Sequence, residues 1–150
     1  MEFDIAPPST SVSLILGAIA ILLVALAVLF VWLAMSAAKL SVGVNSGNVE
    51  LKMPFYGRTI PLSQLELDKA QVTRIDKSSP LRPRIRTNGV GLPGYGVGWF
   101  KLKNGEKALL ALTSREQVVY IPTRDGYSLL LSVRSPNQFL DQLRAASDSG

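Results

Sequence analysis

Residues 99–113 read WFKLKNGEKALLALT, and this stretch decides how the second half of the chain folds. Asn104-Gly105 is a strong signal for a two-residue hairpin turn, because both residues tolerate the positive φ that such a turn requires. Apolar runs precede and follow the turn. The stretch therefore predicts an antiparallel pair of strands formed by residues 99–103 and 107–113.

Strand and turn signals recur on both sides of this hairpin at intervals of about ten residues. The turn residues Asn45–Asn48, Ser114–Glu116 and Thr123–Gly126 separate these short apolar runs. The spacing is typical of a meander of antiparallel strands in a small barrel or sandwich. The predicted strands outside the central hairpin are 40–44, 49–53, 65–67, 72–75, 117–121 and 127–133.

The end of the chain changes character and predicts one closing helix. Ser135 is a helix-capping residue, and Pro136 suits the first helical turn. The apolar residues that follow have the spacing of a single helix face, and they are Phe139, Leu140, Leu143 and Ala146. Residues 147–150 are polar, and we expect a disordered tail there.

Residues 12–38 are apolar except for Ser13 and Ser36, which is long enough for a tilted transmembrane helix. A buried helix of a soluble protein is one alternative, but such a helix rarely stays apolar on every side for so many turns. A cleaved signal peptide is the other alternative. Its first residues should be basic, whereas this chain begins Met-Glu-Phe-Asp.

Charge predicts the orientation of this helix. Residues 1–11 contain no Lys or Arg and are expected to form a short disordered tail outside the cell. Residues 39–150 hold all 16 basic residues but only nine of the eleven acidic ones, so their formal charge is +7. Basic segments stay in the cytoplasm, so we expect a domain at residues 39–146 inside the cell. Trp32 and Lys39 are the predicted interfacial anchors of the helix.

The composition argues against catalysis and metal binding. The chain has no Cys and no His, which removes the usual nucleophile, general base and transition-metal ligands. Glu66 and Asp68 are spaced as a carboxylate pair, but such a pair on one short strand is far more often simply solvated. We therefore predict no enzyme activity, no cofactor and no metal site. Nucleic-acid binding is not expected either, since no recognition-helix pattern accompanies the basic charge.

A basic run offers one candidate binding surface. Arg82, Arg84 and Arg86 alternate, so in an extended chain their side chains point the same way. They form either a docking strip for anionic lipid headgroups or an acidic partner, or a solvated edge whose charges deter aggregation. Both interpretations remain open on the sequence.

A glycine-rich run, residues 89–98, offers a second candidate surface. A strand-like segment follows it rather than a helix, which argues against a dinucleotide site and favours glycines that permit a sharply bent sheet. Tyr95, Trp99 and Phe100 lie beside these glycines, and Tyr95 and Trp99 are candidate partner-binding aromatics. Whichever of Trp99 and Phe100 faces inward is instead expected to pack in the core.

Several segments resemble the bacterial pleckstrin-homology (PH) domain families, over residues 40–146. Residues 86–100 look like their central glycine-rich segment, residues 60–65 like their turn into an early strand, and residues 118–140 like their C-terminal half. The resemblance implies a mainly β fold, in which a bent antiparallel barrel is capped by one C-terminal amphipathic helix. It also implies a non-enzymatic scaffold domain of a bacterium, and some such domains self-assemble.

Together these features predict a single-pass protein of the bacterial inner membrane whose cytoplasmic domain mediates protein–protein assembly. The partner would be a second copy, giving a homo-oligomer, or a larger membrane complex. The alternative function is binding or sensing of anionic lipid. Eukaryotic PH domains bind phosphoinositides near the first strand loop. That site is not carried over, because Asn45–Asn48 holds no basic residue.

Overall fold

A computed structural model describes residues 3–37 and 40–149. The chain divides into two compact units, Met1–Ala38 and Lys39–Gly150, and each is considered by itself.

The first unit is built on one long helix, α1, at Thr10–Ala37. It begins two residues before the predicted start. Apolar side chains cover it on every side and are exposed from Val12 to Met35. Within the described part of the chain, α1 is the one helix long and apolar enough to cross a membrane, with a mean hydropathy of 3.2. Trp32 is exposed near its end, while Lys39, the second predicted anchor, lies outside the described residues.

The second unit begins with a three-stranded antiparallel sheet of β1 (Ser41–Asn45), β2 (Asn48–Lys52) and β3 (Arg58–Pro61). The first two strands form the hairpin that the sequence predicts. A 3-10 turn at Leu62–Gln64 follows β3. The prediction of a strand at 65–67 is wrong, because Leu65 and Leu67 are buried in an irregular segment in which Leu65 makes only an isolated bridge.

A six-stranded sheet forms the rest of the unit. The predicted hairpin at Asn104-Gly105 joins β6 and β7. Its loop has three residues rather than two, because the Leu102 N–H donates to the Glu106 carbonyl at 2.8 Å, and of Asn104 and Gly105 only the glycine has a positive φ. The glycine-rich run that precedes it is itself paired strand, which the sequence analysis did not predict. In chain order the strands are β4 (Gln71–Thr73), β5 (Pro83–Leu92), β6 (Tyr95–Leu102), β7 (Lys107–Leu112), β8 (Val118–Pro122) and β9 (Ser128–Leu131).

The strand order is β4-β8-β9-β7-β6-β5, so β9 lies between β7 and β8. It is antiparallel to β8 but parallel to β7. The mainly β prediction is confirmed, and this one parallel pair is where the sheet departs from a simple antiparallel meander. β8 and β9 form an antiparallel hairpin, and β9 rather than β8 lies next to β7. β9 runs in the same direction as β7, so these two strands pair in parallel.

The closing helix α2 spans Pro136–Asp148 and buries Phe139, Leu140 and Leu143, as the apolar spacing predicts. It runs two residues past the predicted end at residue 146. The larger core cluster joins α2, the three-stranded sheet and one face of the six-stranded sheet. A smaller cluster covers the opposite face of the six-stranded sheet. The candidate site lies on this second face.

Candidate functional site: an arginine-rimmed cavity beside an edge strand

Strand β5 forms the free edge of the six-stranded sheet. It is hydrogen-bonded to β6 alone, and within the described residues no strand pairs with its other edge. Its register with β6 shifts twice, between Pro83 and Ile85 and between Arg86 and Asn88. Proline fits such a position because it lacks the N–H that regular pairing would use. Ten residues of extended backbone are thus available from one side.

The register of β5 and β6 places the arginines over an apolar floor. Arg86 pairs with Phe100, and residues directly opposite each other in an antiparallel pair share one face of the sheet. Gly98 and Gly96 continue that face, and their partners on β7 are Leu110 and Leu112. The floor therefore consists of one aromatic ring and two leucines beside bare glycine backbone.

These residues enclose a cavity of about 610 Å³. The three predicted arginines, Arg82, Arg84 and Arg86, all line it, and so does Tyr95. A fourth arginine, Arg115, reaches the same cavity from the turn after β7. The sequence analysis missed Arg115, because nothing local in Ser114–Glu116 indicates that this turn lies near β5. Its position is fixed by tertiary contact, since the Arg115 carbonyl accepts a hydrogen bond from the Ile75 N–H at 2.9 Å.

The basic surface continues beyond this cavity. A neighbouring cavity of about 440 Å³ shares Arg82 and Arg84 and adds Lys77 and Lys103. Six cationic side chains from three segments therefore line two adjoining cavities.

The four arginines carry charge that the described part of the chain does not neutralise. The salt bridges among described residues join Lys52 to Glu50, Lys69 to Glu66 and Arg74 to Glu116, and none involves the cavity. Arg84 and Arg86 are exposed, and Arg82 and Arg115 are half-buried. A guanidinium presents a planar set of donors that fits carboxylate or phosphate oxygens in pairs. The cavity is therefore chemically suited to an anionic group.

Tyr95 stands at the mouth of the β5–β6 hairpin, directly after the Pro93–Gly94 turn. Burial raises the pKa of its phenol, so the ring stays neutral at physiological pH. Tyr95 also packs against the larger core cluster, so it lies where the cavity meets the edge of that core.

Trp99 does not line this cavity, although it packs against the same larger core cluster as Tyr95. It pairs with Asn88 and Leu109 and faces the larger core cluster, one residue out of step with Phe100. Its ring contacts Tyr127 edge-on with the centroids 5.1 Å apart. Two cations flank it, with the Arg58 Cζ 5.3 Å and the Lys107 Nζ 4.5 Å from the ring centroid. This arrangement buries one side of Trp99 and ties β3 to β6.

The glycines serve the close pairing of β5 and β6. A Cβ on Gly98 would lie 2.5 Å from the Asn88 carbonyl oxygen, and one on Gly89 would lie 2.3 Å from the Val97 carbonyl oxygen. Both residues also have positive φ. A strand, not a helix, follows this run, so the helix N-terminus that a dinucleotide site requires is missing from this position.

The predicted carboxylate pair does not form a cleft. Glu66 is bound by Lys69 at 3.3 Å, and Asp68 is exposed. Glu106 accepts hydrogen bonds from the Tyr120 hydroxyl at 3.1 Å and the Ser128 hydroxyl at 3.0 Å, which satisfies one of its oxygens within the sheet. Among residues 3–37 and 40–149, no group of three or more acidic, His or Cys side chains is placed to hold a metal ion.

Two packed sheets closed by a C-terminal helix define a PH-like domain, and its candidate site is the arginine-rimmed cavity beside a free strand edge. Residues 40–147 match the family model for the bacterial PH domain, which covers most of the chain, and the protein belongs to that family. PH domains are generally non-catalytic modules. Comparison with curated proteins and with solved structures gives no match.

Proposed function

We propose that this protein is a non-enzymatic, membrane-anchored assembly module whose PH-like domain binds an acidic segment of a partner protein. The observation that carries the proposal is the cavity in which Arg82, Arg84, Arg86 and Arg115 converge beside the free edge of β5. None of these arginines is neutralised by a described carboxylate.

Strand addition explains how such a partner would bind. An extended segment that pairs with β5 gains main-chain hydrogen bonds, and its alternate side chains supply specificity. Ile85, Val90 and Leu92 are exposed along this strand and offer apolar contacts. Acidic side chains of the segment would reach the arginine rim, where charge-assisted hydrogen bonds form in pairs.

The helix α1 gives the module its location. A helix of 28 residues is about 42 Å long, which exceeds the hydrocarbon thickness of a bilayer. The basic residues all follow the helix, so the domain lies in the cytoplasm and the N-terminus outside. The inner leaflet is anionic and attracts the +7 domain electrostatically.

Affinity purification of the full-length protein from its native membranes in mild detergent tests this function. The variant carries Arg82→Ala, Arg84→Ala and Arg86→Ala. The control carries Lys101→Ala, Arg124→Ala and Arg134→Ala, which removes the same charge from exposed positions outside the cavity. We expect the control to retain a stoichiometric partner, or a defined homo-oligomer by native mass spectrometry, and the variant to lose it. Equal recovery of a partner by both proteins would refute the proposal.

The apolar floor of the cavity favours a second candidate function. Phe100, Leu110 and Leu112 beneath an arginine rim suit a ligand with a charged head and an apolar chain, as in an anionic phospholipid. Native mass spectrometry of the full-length protein released from nanodiscs separates the two functions. Retained anionic lipid that is lost in the cavity variant but not in the control would favour lipid binding.

A further inference from the structure

The loop between β2 and β3 presents an aromatic side chain to solvent in an unusual backbone conformation. Phe55 is 90% exposed, and its φ is 64°. This left-handed region favours Gly, Asn and Asp and is costly for a bulky residue. A single exposed aromatic needs no explanation by itself. At Phe55 an exposed apolar ring and a left-handed backbone conformation occur together. Asn would be more favourable at this position on both counts, because it is polar and tolerates positive φ.

Residues on both sides of Phe55 are held by contacts with the rest of the domain. Met53 is buried in the core on one side of Phe55. On the other side, the Tyr56 hydroxyl donates a 2.9 Å hydrogen bond to the Asn88 side chain on β5. Phe55 therefore projects from a loop that is fixed at both ends.

Strand register places this loop at the end of the domain where the chain arrives from α1. Ser41, the first residue of β1, pairs with Lys52, the last residue of β2. The loop begins at the next residue. Residues 38–40 alone separate α1 from β1 in the sequence. The Asn45–Asn48 turn lies at the opposite end of the same hairpin.

One basic residue lies three positions before Phe55 in the sequence and another lies three positions after it. Lys52 precedes the loop and Arg58 follows it, and both are exposed. Arg58 pairs with Leu51 across β2 and β3, so it lies at the same end of the sheet as Lys52. The Arg58 guanidinium lies over the Trp99 ring, whereas Lys52 is exposed and carries only a 3.7 Å surface ion pair with Glu50. An exposed aromatic ring near an exposed lysine is the pattern that suits a bilayer interface, where the ring enters the headgroup region and the cation meets lipid phosphates.

We propose that the Phe55 loop is a second membrane contact, in which Phe55 inserts into the interface of the bilayer that α1 crosses. Lys52 binds anionic headgroups beside it. Two contacts fix the orientation of the domain on the membrane, whereas the helix alone fixes only its distance. This inference rests on the membrane-anchored part of the proposed function and is independent of what the arginine cavity binds.

Spin labelling tests the proposal, because the chain has no cysteine and any introduced thiol is unique. Full-length Phe55→Cys and Ser46→Cys proteins carry a nitroxide and are reconstituted into phosphatidylcholine vesicles with and without phosphatidylglycerol. Ser46 is the matched control, since it is exposed in the turn at the far end of the hairpin. Power saturation measures how often the nitroxide collides with oxygen, which concentrates in lipid, and with a water-soluble nickel chelate. The oxygen-to-nickel collision ratio is therefore high for a label in lipid and low for a label in water.

We expect the oxygen-to-nickel ratio at position 55 to exceed that at position 46 several-fold. A ratio at 55 equal to that at 46, or a label at 55 shielded from both reagents, overturns the proposal. Circular dichroism verifies that each labelled protein is folded. A label on Thr59→Cys keeps the native Phe55 side chain, and its ratio should fall when Phe55→Asn is added.

A third label distinguishes failure of this proposal from failure of the anchor. Leu22 lies in the middle of α1, so a label on Leu22→Cys should have a lipid-like ratio. An aqueous label at 22 would refute the anchor itself, and with it this inference. A lipid-like label at 22 beside an aqueous label at 55 refutes the Phe55 contact alone.

Discussion

Gly89 and Gly98 face each other across β5 and β6, so closely that neither has room for a side chain. A Cβ on Gly98 would lie 2.7 Å from the Gly89 Cα as well as 2.5 Å from the Asn88 oxygen. Both neighbours are backbone atoms, which cannot turn aside as a flexible side chain does. This contact holds β5 and β6 close together in the hairpin that carries the arginine rim.

We therefore expect Gly98→Ala to destabilise the domain by roughly 2–3 kcal/mol, because the new methyl group clashes with backbone and positive φ is strained. The melting temperature of the full-length protein in detergent, followed by circular dichroism, should fall by roughly 10 °C. Gly43→Ala is the control, since a Cβ there meets no atom within 4 Å. An equal effect of both substitutions would contradict the close-approach argument.

Asp76 organises the turn that leads into β5. Its Oδ1 accepts hydrogen bonds from the Ser78 N–H at 2.8 Å, the Ser78 hydroxyl at 2.6 Å and the Ser79 N–H at 2.9 Å. These bonds, led by the Ser78 hydroxyl, lower the pKa of the carboxyl below its ordinary value. The ionised form is thus favoured by folding.

The sign of the pH effect follows from the lowered pKa. Asp76 contributes stability above the ordinary aspartate pKa, and that contribution is lost as pH falls through the lower pKa of the folded state. We expect an NMR titration of the Asp76 carboxyl carbon to give a pKa below that of an unstructured aspartate. Ser78→Ala should raise it, because the largest cause of the shift is removed. An unchanged pKa in that variant would show that the hydroxyl is not the cause.

At the scale of elements, α2 contributes three buried side chains to the larger core cluster and covers its end. Leu143 is fully buried, and the Arg144 side chain donates a 3.2 Å hydrogen bond to the Ala70 carbonyl. The helix packs on the 3-10 turn, β4 and β8. It therefore joins segments that are far apart in the sequence.

Leu143→Ala should cost about 2–5 kcal/mol of unfolding free energy, because it removes buried apolar volume and leaves a cavity. Urea denaturation of the full-length protein measures the loss. Gln142→Ala changes the exposed face of the same helix and should stay within about 0.5 kcal/mol of the parent protein. A similar small loss in both variants would mean that α2 is not part of the cooperative core.

At the scale of the whole molecule, cysteine labelling tests the orientation of the chain in the membrane. Because the chain has no cysteine of its own, each introduced thiol is the only one that reacts. Ser9→Cys should react with a membrane-impermeant maleimide in intact cells if, as we propose from the charge distribution, the N-terminal tail lies outside. Asp125→Cys, in the exposed β8–β9 turn, should react only after the membrane is permeabilised. The reverse pattern would place the domain outside the cell.

Local signals predicted much of this architecture. The hairpin at Asn104-Gly105, the first hairpin and the amphipathic spacing of α2 are each specified within a dozen residues, so the sequence predicts them correctly. The glycine-rich run was harder, because glycine has no side chain and so gives no alternating pattern. Its strand character depends on pairing with neighbours.

Features that depend on long-range contact were missed. The parallel pairing of β9 with β7 is set by how a finished hairpin folds back, and no residue in Ser128–Leu131 specifies it. Arg115 joins the arginine cavity from a separate turn for the same reason. The alternation of Arg82, Arg84 and Arg86 predicts that their side chains lie on one side, and all three line one cavity although β5 has two register shifts. Trp99 faces the other side, because strand register decides which face each residue takes.

β9, an interior strand of the six-stranded sheet, follows all of the other described strands in chain order. β9 bonds to β7 on one side and to β8 on the other, so until residue 131 has emerged both neighbours keep an open edge. Open edges recruit other strands and invite aggregation. The six-stranded sheet thus depends on β9 to link β4 and β8 to the part formed by β5, β6 and β7, and we expect a chain clipped before β9 to leave these two parts unconnected.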